Sequence, residues 1–159
     1  MASTTDSSAP VSPLTPDQVK LIKESWRVLA PKLGLLAKQF YARLFDLDPG
    51  LEAFFSKIGM DQQGKKFTDT ITIVVKGLDH FEMLVPAIGQ LGSRHEGYGV
   101  KDEHYVVVKQ ALLGALGSNL GDRFAGGTQE AWSITYDVLA EIMKKGQQEG
   151  PVMIPGIGA

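Results

Sequence analysis

The chain contains no cysteine. That excludes disulfides, thiolate metal sites and cysteine nucleophiles, so any metal would be held by histidine, carboxylate or another thiolate-free ligand. Histidine is scarce too: the chain has three, His80, His95 and His104. Neither sign of charge is in large excess, with 16 basic residues against 18 acidic and a formal net charge of -2. Without a basic block there is no electrostatic footprint for nucleic acid, and without an acidic tail none for a strongly cationic partner. Long apolar runs are missing, and so is a basic start followed by an apolar core at the N-terminus. The expectation is a cytoplasmic protein that engages neither membrane nor nucleic acid.

What is present suits one ordinary domain. The 159 residues, 43% of them hydrophobic, can build a real core. Residues 1–14 are mostly Ser, Thr, Ala and Pro and read as a disordered N-terminal tail. Residues 15–145 read as the folded domain, and the Gly- and Pro-containing stretch 146–159 as a flexible C-terminal tail.

Order is expected to begin at Thr15-Pro16-Asp17-Gln18, where Thr15 and Gln18 can form a capping box and Pro16 suits the first helical position. Val19, Ile22, Trp26 and Leu29 follow at helical spacing until Pro31. A second helix is expected over 32–47, with Leu33, Leu36, Phe40 and Leu44 in one stripe and Tyr41 and Phe45 beside it. Asp48-Pro49-Gly50 breaks it, a short turn ends in Phe54-Phe55, and a loop covers 56–61. The β-branched run Thr70-Ile71-Thr72-Ile73-Val74-Val75 favours a strand locally. The longer window places Gln63, Phe67, Ile71, Val74 and Leu78 at helical spacing, so a helix is expected over 62–79. A short, irregular helix is expected over 81–96, interrupted by Pro86, Gly89 and Gly92. A helix over 101–120 is expected to carry Tyr105, Val108, Leu112 and Ala115 on one face, and a last helix over 128–145 to carry Trp132, Tyr136, Leu139 and Met143 in a stripe. The fold class is therefore all-α, with six to eight helices packed as stacked pairs.

His95 draws most interest. It lies one turn after Leu91, at the end of the apolar segment Met83, Leu84, Val85, Ile88, Leu91, just before Gly97 and Gly99. A histidine there can aim its imidazole into a cavity while its other ring nitrogen donates to a carbonyl one turn back, which suits a metal ligand. The alternative is a helix-end histidine that interacts with the C-terminal dipole. His80 and His104, each at a helix end or start, read as surface or structural residues.

Phe40-Tyr41-Ala42-Arg43-Leu44-Phe45, then Pro49 and Phe55, resemble the second helix, corner proline and haem-packing phenylalanine of globins. Gln63, Lys65-Lys66-Phe67, the helix carrying His95, His104-Tyr105, and Ala131-Trp132 with Tyr136 keep the same order and spacing. Over roughly residues 15–145 the chain is similar to bacterial single-domain haemoglobins and to the haem domain of flavohaemoglobins. The resemblance implies a globin fold around a pocket for haem b (iron protoporphyrin IX), with His95 as the iron ligand and the Leu91 carbonyl accepting from its second nitrogen. It implies Tyr41 and Gln63 as distal donors to bound oxygen, with Phe55, Phe67, Leu91 and Val100 lining the pocket. Lys66 and Arg94 are candidates for the haem propionates, and Tyr105 is the expected proximal support. A glutamate that the group pairs with that tyrosine has no match here: its register falls near Gln147, with Glu141 and Glu149 nearby but off register.

The resemblance makes oxygen, nitric oxide and carbon monoxide the expected ligands, and reversible gas binding the expected function. The alternatives are a nitric oxide dioxygenase supplied by a separate reductase, a weak peroxidase, and a haem-free globin used in signalling. The chain's glycines do not follow a strand as a dinucleotide fingerprint requires, so electrons for any turnover would come from another protein.

Overall fold

The computed structural model describes the backbone of residues 13–55, 60–97 and 101–149, and the side chains of the same residues except 54, 55, 60, 61, 90–97 and 146–149. Among these residues there are helices and turns and no strand. The first helix, α1 (Pro16–Leu29), opens as its sequence dictates. The Gln18 amide donates to Thr15 Oγ1 at 3.1 Å, and the Thr15 amide donates to Gln18 Oε1 at 3.0 Å. Pro31 lacks an amide to continue the ladder, and Ala30–Lys32 tightens into a single 3₁₀ turn. Just before α1, Leu14 is already buried in the core, so packing starts slightly ahead of the helix.

Helix α2 (Leu33–Leu47) buries Leu36, Ala37, Phe40, Tyr41 and Leu44, the inward face that its stripe predicts. Asp48 ends it, the 3₁₀ turn Pro49–Leu51 follows, and α3 (Glu52–Phe55) is one short turn. Helix α4 (Met60–Lys76) contains the whole run Thr70–Val75. Burial explains why local strand preference loses: Ile71, Val74, Val75 and Leu78 recur at helical spacing and all sit in the core. The Thr72 hydroxyl also donates back to the Thr68 carbonyl at 2.7 Å, which satisfies it within the helix. At Gly77 the chain turns tightly under Leu84; a Cβ there would lie 2.6 Å from Leu84 Cδ2.

After the 3₁₀ turn Leu78–His80 comes α5 (Phe81–Gly97). It is a continuous 17-residue helix with Pro86 inside it, which corrects the expected short and interrupted one. Packing is the reason: α5 and α7 share the most extensive helix pairing in the fold, and that burial outweighs one missing backbone hydrogen bond. Helix α6 (Asp102–Leu120) buries only part of its expected face. Its buried residues are Tyr105, Ala111, Ala115, Leu116 and Leu120, while Val108 and Leu112 are only half-buried. The helix is apolar around most of its circumference, so periodicity alone cannot choose a face. Contact with α2 on one side and α7 on another makes the choice.

Helix α7 (Gly126–Glu149) overruns the expected range at both ends. It starts at Gly126, whose φ of 53° suits glycine, and it passes through Gly146, where glycine costs a formed helix only about 1 kcal/mol. Its buried residues are Ala131, Trp132, Thr135 and Ala140; Tyr136 and Leu139, expected in the stripe, are half-buried. A polar chain ties α7 to α1: the Trp132 indole donates to Ser25 Oγ at 2.9 Å, and Ser25 Oγ donates to the Ile22 carbonyl at 2.8 Å. Ser25→Ala would leave a buried indole N–H without its acceptor. It is expected to cost about 1–3 kcal/mol, seen as a lower urea midpoint. An unchanged midpoint would show that the indole finds another acceptor.

Candidate functional site

Helices α2 and α4 come together around an aromatic wall. Phe40 stacks on Phe67 with ring centroids 4.5 Å apart and planes 15° from parallel. Tyr41 meets Phe40 edge-on at 4.9 Å and Phe67 at 6.0 Å, and the Phe45 ring centroid also lies 6.0 Å away, tilted by 35°. The two helices can approach because small residues face each other at the crossing. Ala37 Cβ lies 3.7 Å from where a Cβ on Gly64 would be.

Two polar side chains are buried in this wall. Tyr41 is 7% exposed and Gln63 is 8% exposed. The Tyr41 hydroxyl donates to the Gln63 backbone carbonyl at 3.2 Å. Burial pushes the Tyr41 phenol above the ordinary tyrosine range, so it stays protonated and remains a donor at any working pH. The Gln63 carboxamide is different. Among the described residues neither its oxygen nor its nitrogen has a hydrogen-bond partner. Leaving such a group unsatisfied costs about 1–3 kcal/mol, and so it calls for a functional reason. The structure thus brings Tyr41, Gln63 and Phe67 together where α2 meets α4. Exposure of Gln63 as an ordinary helix-start residue is excluded.

His95 lies in the last turn of α5, and Leu91 and Arg94 lie on the same helix, with Leu91 one turn before His95. The side chains of Leu91, Arg94, His95 and Phe55, and all of Val100, lie outside the described residues. Lys66 is exposed on α4. The other two histidines are accounted for. His80 is exposed on its 3₁₀ turn. His104 Nδ1 accepts from the Lys101 amide at 2.9 Å, capping the start of α6.

Tyr105 is 6% exposed in the first turn of α6, and its carbonyl accepts a 2.7 Å bond from the Tyr136 hydroxyl on α7. Burial, with the negative charge of Asp102 adding to it, pushes the Tyr105 phenol up to about 12. The Lys144 ammonium sits 5.3 Å from the ring centroid, a cation–π geometry. Lys144 is not among the residues singled out near Tyr105 from the sequence; of those, Glu141 is exposed, and the side chains of Gln147 and Glu149 lie outside the described residues. Helical spacing from Tyr136 would have indicated residue 144, since eight residues is close to two turns.

No group of three or more His, Asp or Glu residues could hold a bare metal ion among the described residues. A lone histidine suits a metal that brings most of its ligands with it, as iron does in a macrocycle.

Comparison with known proteins is consistent over most of the chain. The family model Globin matches residues 38–143. A flavohemoprotein of Rhodopirellula baltica is 30% identical over 131 residues, which cover 81% of this chain and 32% of that protein. A flavohemoprotein of Xylella fastidiosa is 32% identical over 132 residues, covering 82% of this chain and 33% of its own. The chain therefore spans about a third of the length of these relatives. Among solved structures, a bacterial globin from Campylobacter jejuni superposes with a TM-score of 0.75 at 24% identity, covering 85% of this chain and 97% of its own. A hexacoordinated heme protein from an anhydrobiotic tardigrade superposes with a TM-score of 0.76 at 17% identity, covering 86% of this chain and 97% of its own. The architecture is the globin fold, and the chain belongs to the globin family.

Proposed function

We propose that this globin would hold haem b through His95 and reversibly bind a diatomic gas, oxygen foremost, beside the aromatic wall of α2 and α4. The observation that carries this reading is the buried Gln63 carboxamide, which has no partner among the described residues and stands beside a protonated phenol in an aromatic wall. Such a donor set suits a small ligand with partial negative charge. When bound, the haem supplies an iron atom with a coordination position open to that ligand.

The chain's own residues do the rest. The Gln63 amide donates to the ligand in a pocket of low dielectric, where a hydrogen bond is stronger than in water. Phe67, half-buried and stacked on Phe40, narrows the space and limits ligand size. Phe55, Leu91 and Val100 would give the macrocycle apolar contact, and Lys66 and Arg94 would be the partners of its propionates. Tyr105, on α6, supports the His95 side. Gas ligands include carbon monoxide and nitric oxide as well as oxygen, and any turnover such as nitric oxide dioxygenation would need electrons from a reductase. No helix among the described residues is long and apolar enough to cross a membrane.

The test is the visible absorption spectrum of the purified protein in ferric, ferrous and oxygen-exposed ferrous forms. A Soret band and a persistent oxygenated spectrum are expected. A preparation that shows no Soret band after haem supplementation would overturn the proposal.

A further inference from the structure

Away from the aromatic wall, a groove of about 590 Å³ runs between α1 and the 3₁₀ turn Leu78–His80. That is the size of a small-molecule cleft, which typically encloses about 300–1,000 Å³. Its floor is apolar: Leu14 and Leu78 are buried beneath it, and Val19 is half-buried beside them. Its rim is charged. Lys20, Lys23, Glu24 and Arg27 line it from α1, and Asp79 lines it from the turn.

The rim charges do not cancel. The Lys23 ammonium pairs with the Asp79 carboxylate, which leaves that pair neutral. Lys20 and Arg27 are exposed, and among the described residues neither pairs with a carboxylate. They stand seven residues apart, two turns or about 10 Å along the helix, so both edge the same side of the groove. Glu24 lies between them. We propose that this groove is a binding site for a single-headed aliphatic carboxylate, its chain on Leu14, Val19 and Leu78 and its head between Lys20 and Arg27.

An apolar floor by itself would take any oily group, and free cations by themselves are ordinary surface charges. Both together in one recess of ligand size select a molecule that carries an apolar chain and an anion. Lys20, Arg27 and Glu24 sum to a charge of +1, so one carboxylate balances the rim and a doubly charged phosphate overshoots it. The site lies outside the gas-binding wall and does not depend on it.

Decanoate is the probe, titrated below its micelle-forming concentration into the isotope-labelled full chain, with amide shifts read by NMR. Saturable shifts are expected in residues 14–27 and 77–80. Decyltrimethylammonium has the same tail and a cationic head, and it is expected to leave these amides unmoved. The double variant Lys20→Gln/Arg27→Gln is expected to weaken decanoate binding by about threefold to tenfold, and Glu24→Gln to tighten it by about twofold. All three side chains are exposed, so these changes leave the fold in place. Equal shifts with either head group, or an affinity that no charge change moves, would reduce the groove to an oily surface and overturn the proposal. Shifts confined to α2 and α4 would put decanoate at the aromatic wall and overturn it too. So would shifts of the same α1 amides on raising protein concentration alone, which would make a second copy of the chain the occupant.

Discussion

His95→Ala, purified and supplied with haem, is expected to lose more than about a hundredfold in haem affinity, since disturbing only the partner of a metal ligand already costs 10–100-fold. The loss would be read as the Soret absorbance relative to protein absorbance after gel filtration. The other histidines make poor substitutes. His80 is exposed on a turn, and His104 Nδ1 is committed to the Lys101 amide at the start of α6. His104→Ala should therefore leave haem loading unchanged. Free imidazole added to the His95→Ala protein should restore part of the spectrum, because it supplies the same ligand atom. Unchanged loading in His95→Ala would place the iron ligand elsewhere.

The second large effect is at Gln63, and it runs in two directions. Replacing the carboxamide by the similarly sized leucine removes the donor, so oxygen release should accelerate by about 5- to 150-fold, the equivalent of about 1–3 kcal/mol. Carbon monoxide release should change far less, because that ligand accepts hydrogen bonds weakly. The same substitution should stabilise the haem-free protein against urea by about 1–3 kcal/mol, since a buried amide with no partner among the described residues is exchanged for an apolar group. A gain in stability coupled to a loss in ligand retention marks a residue kept for function at a cost to the fold. If the haem-free Gln63→Leu protein were less stable than wild type, the carboxamide would have to be satisfied in the folded state, and its role as the waiting donor would fall.

The candidate site was partly legible in the sequence because it uses short-range rules. Tyr41 and Phe40 stand next to Leu44 and Leu36 on a stripe whose period is plainly helical, and Phe67 stands one turn after Gln63. What could not be read was the state of each polar group. Nothing in the order of residues says that the Tyr41 proton goes to a backbone carbonyl on another helix, or that the Gln63 amide is left unsatisfied; both depend on how α2 crosses α4. Lys144 over the Tyr105 ring is of the same kind, since it depends on the register between α6 and α7.

The class of protein and most helix starts and stops were already written in local signals along the chain. The Thr15–Gln18 box, Pro31 and Asp48-Pro49-Gly50 act over a few residues, and their effects are local in energy as well as in position. Tertiary structure decided the cases where local preferences conflict or are silent. It kept α5 continuous through Pro86 and chose Ala111 and Leu116 over Val108 and Leu112 as the inward face of α6. It also held α4 helical through the β-branched run Thr70–Val75. In each case the local terms are about 1–3 kcal/mol, while burying a few large apolar side chains contributes about 1.5–3 kcal/mol each. Where a helix has partners on several sides, summed burial prevails over propensity, and that sum exists only once the helices have met.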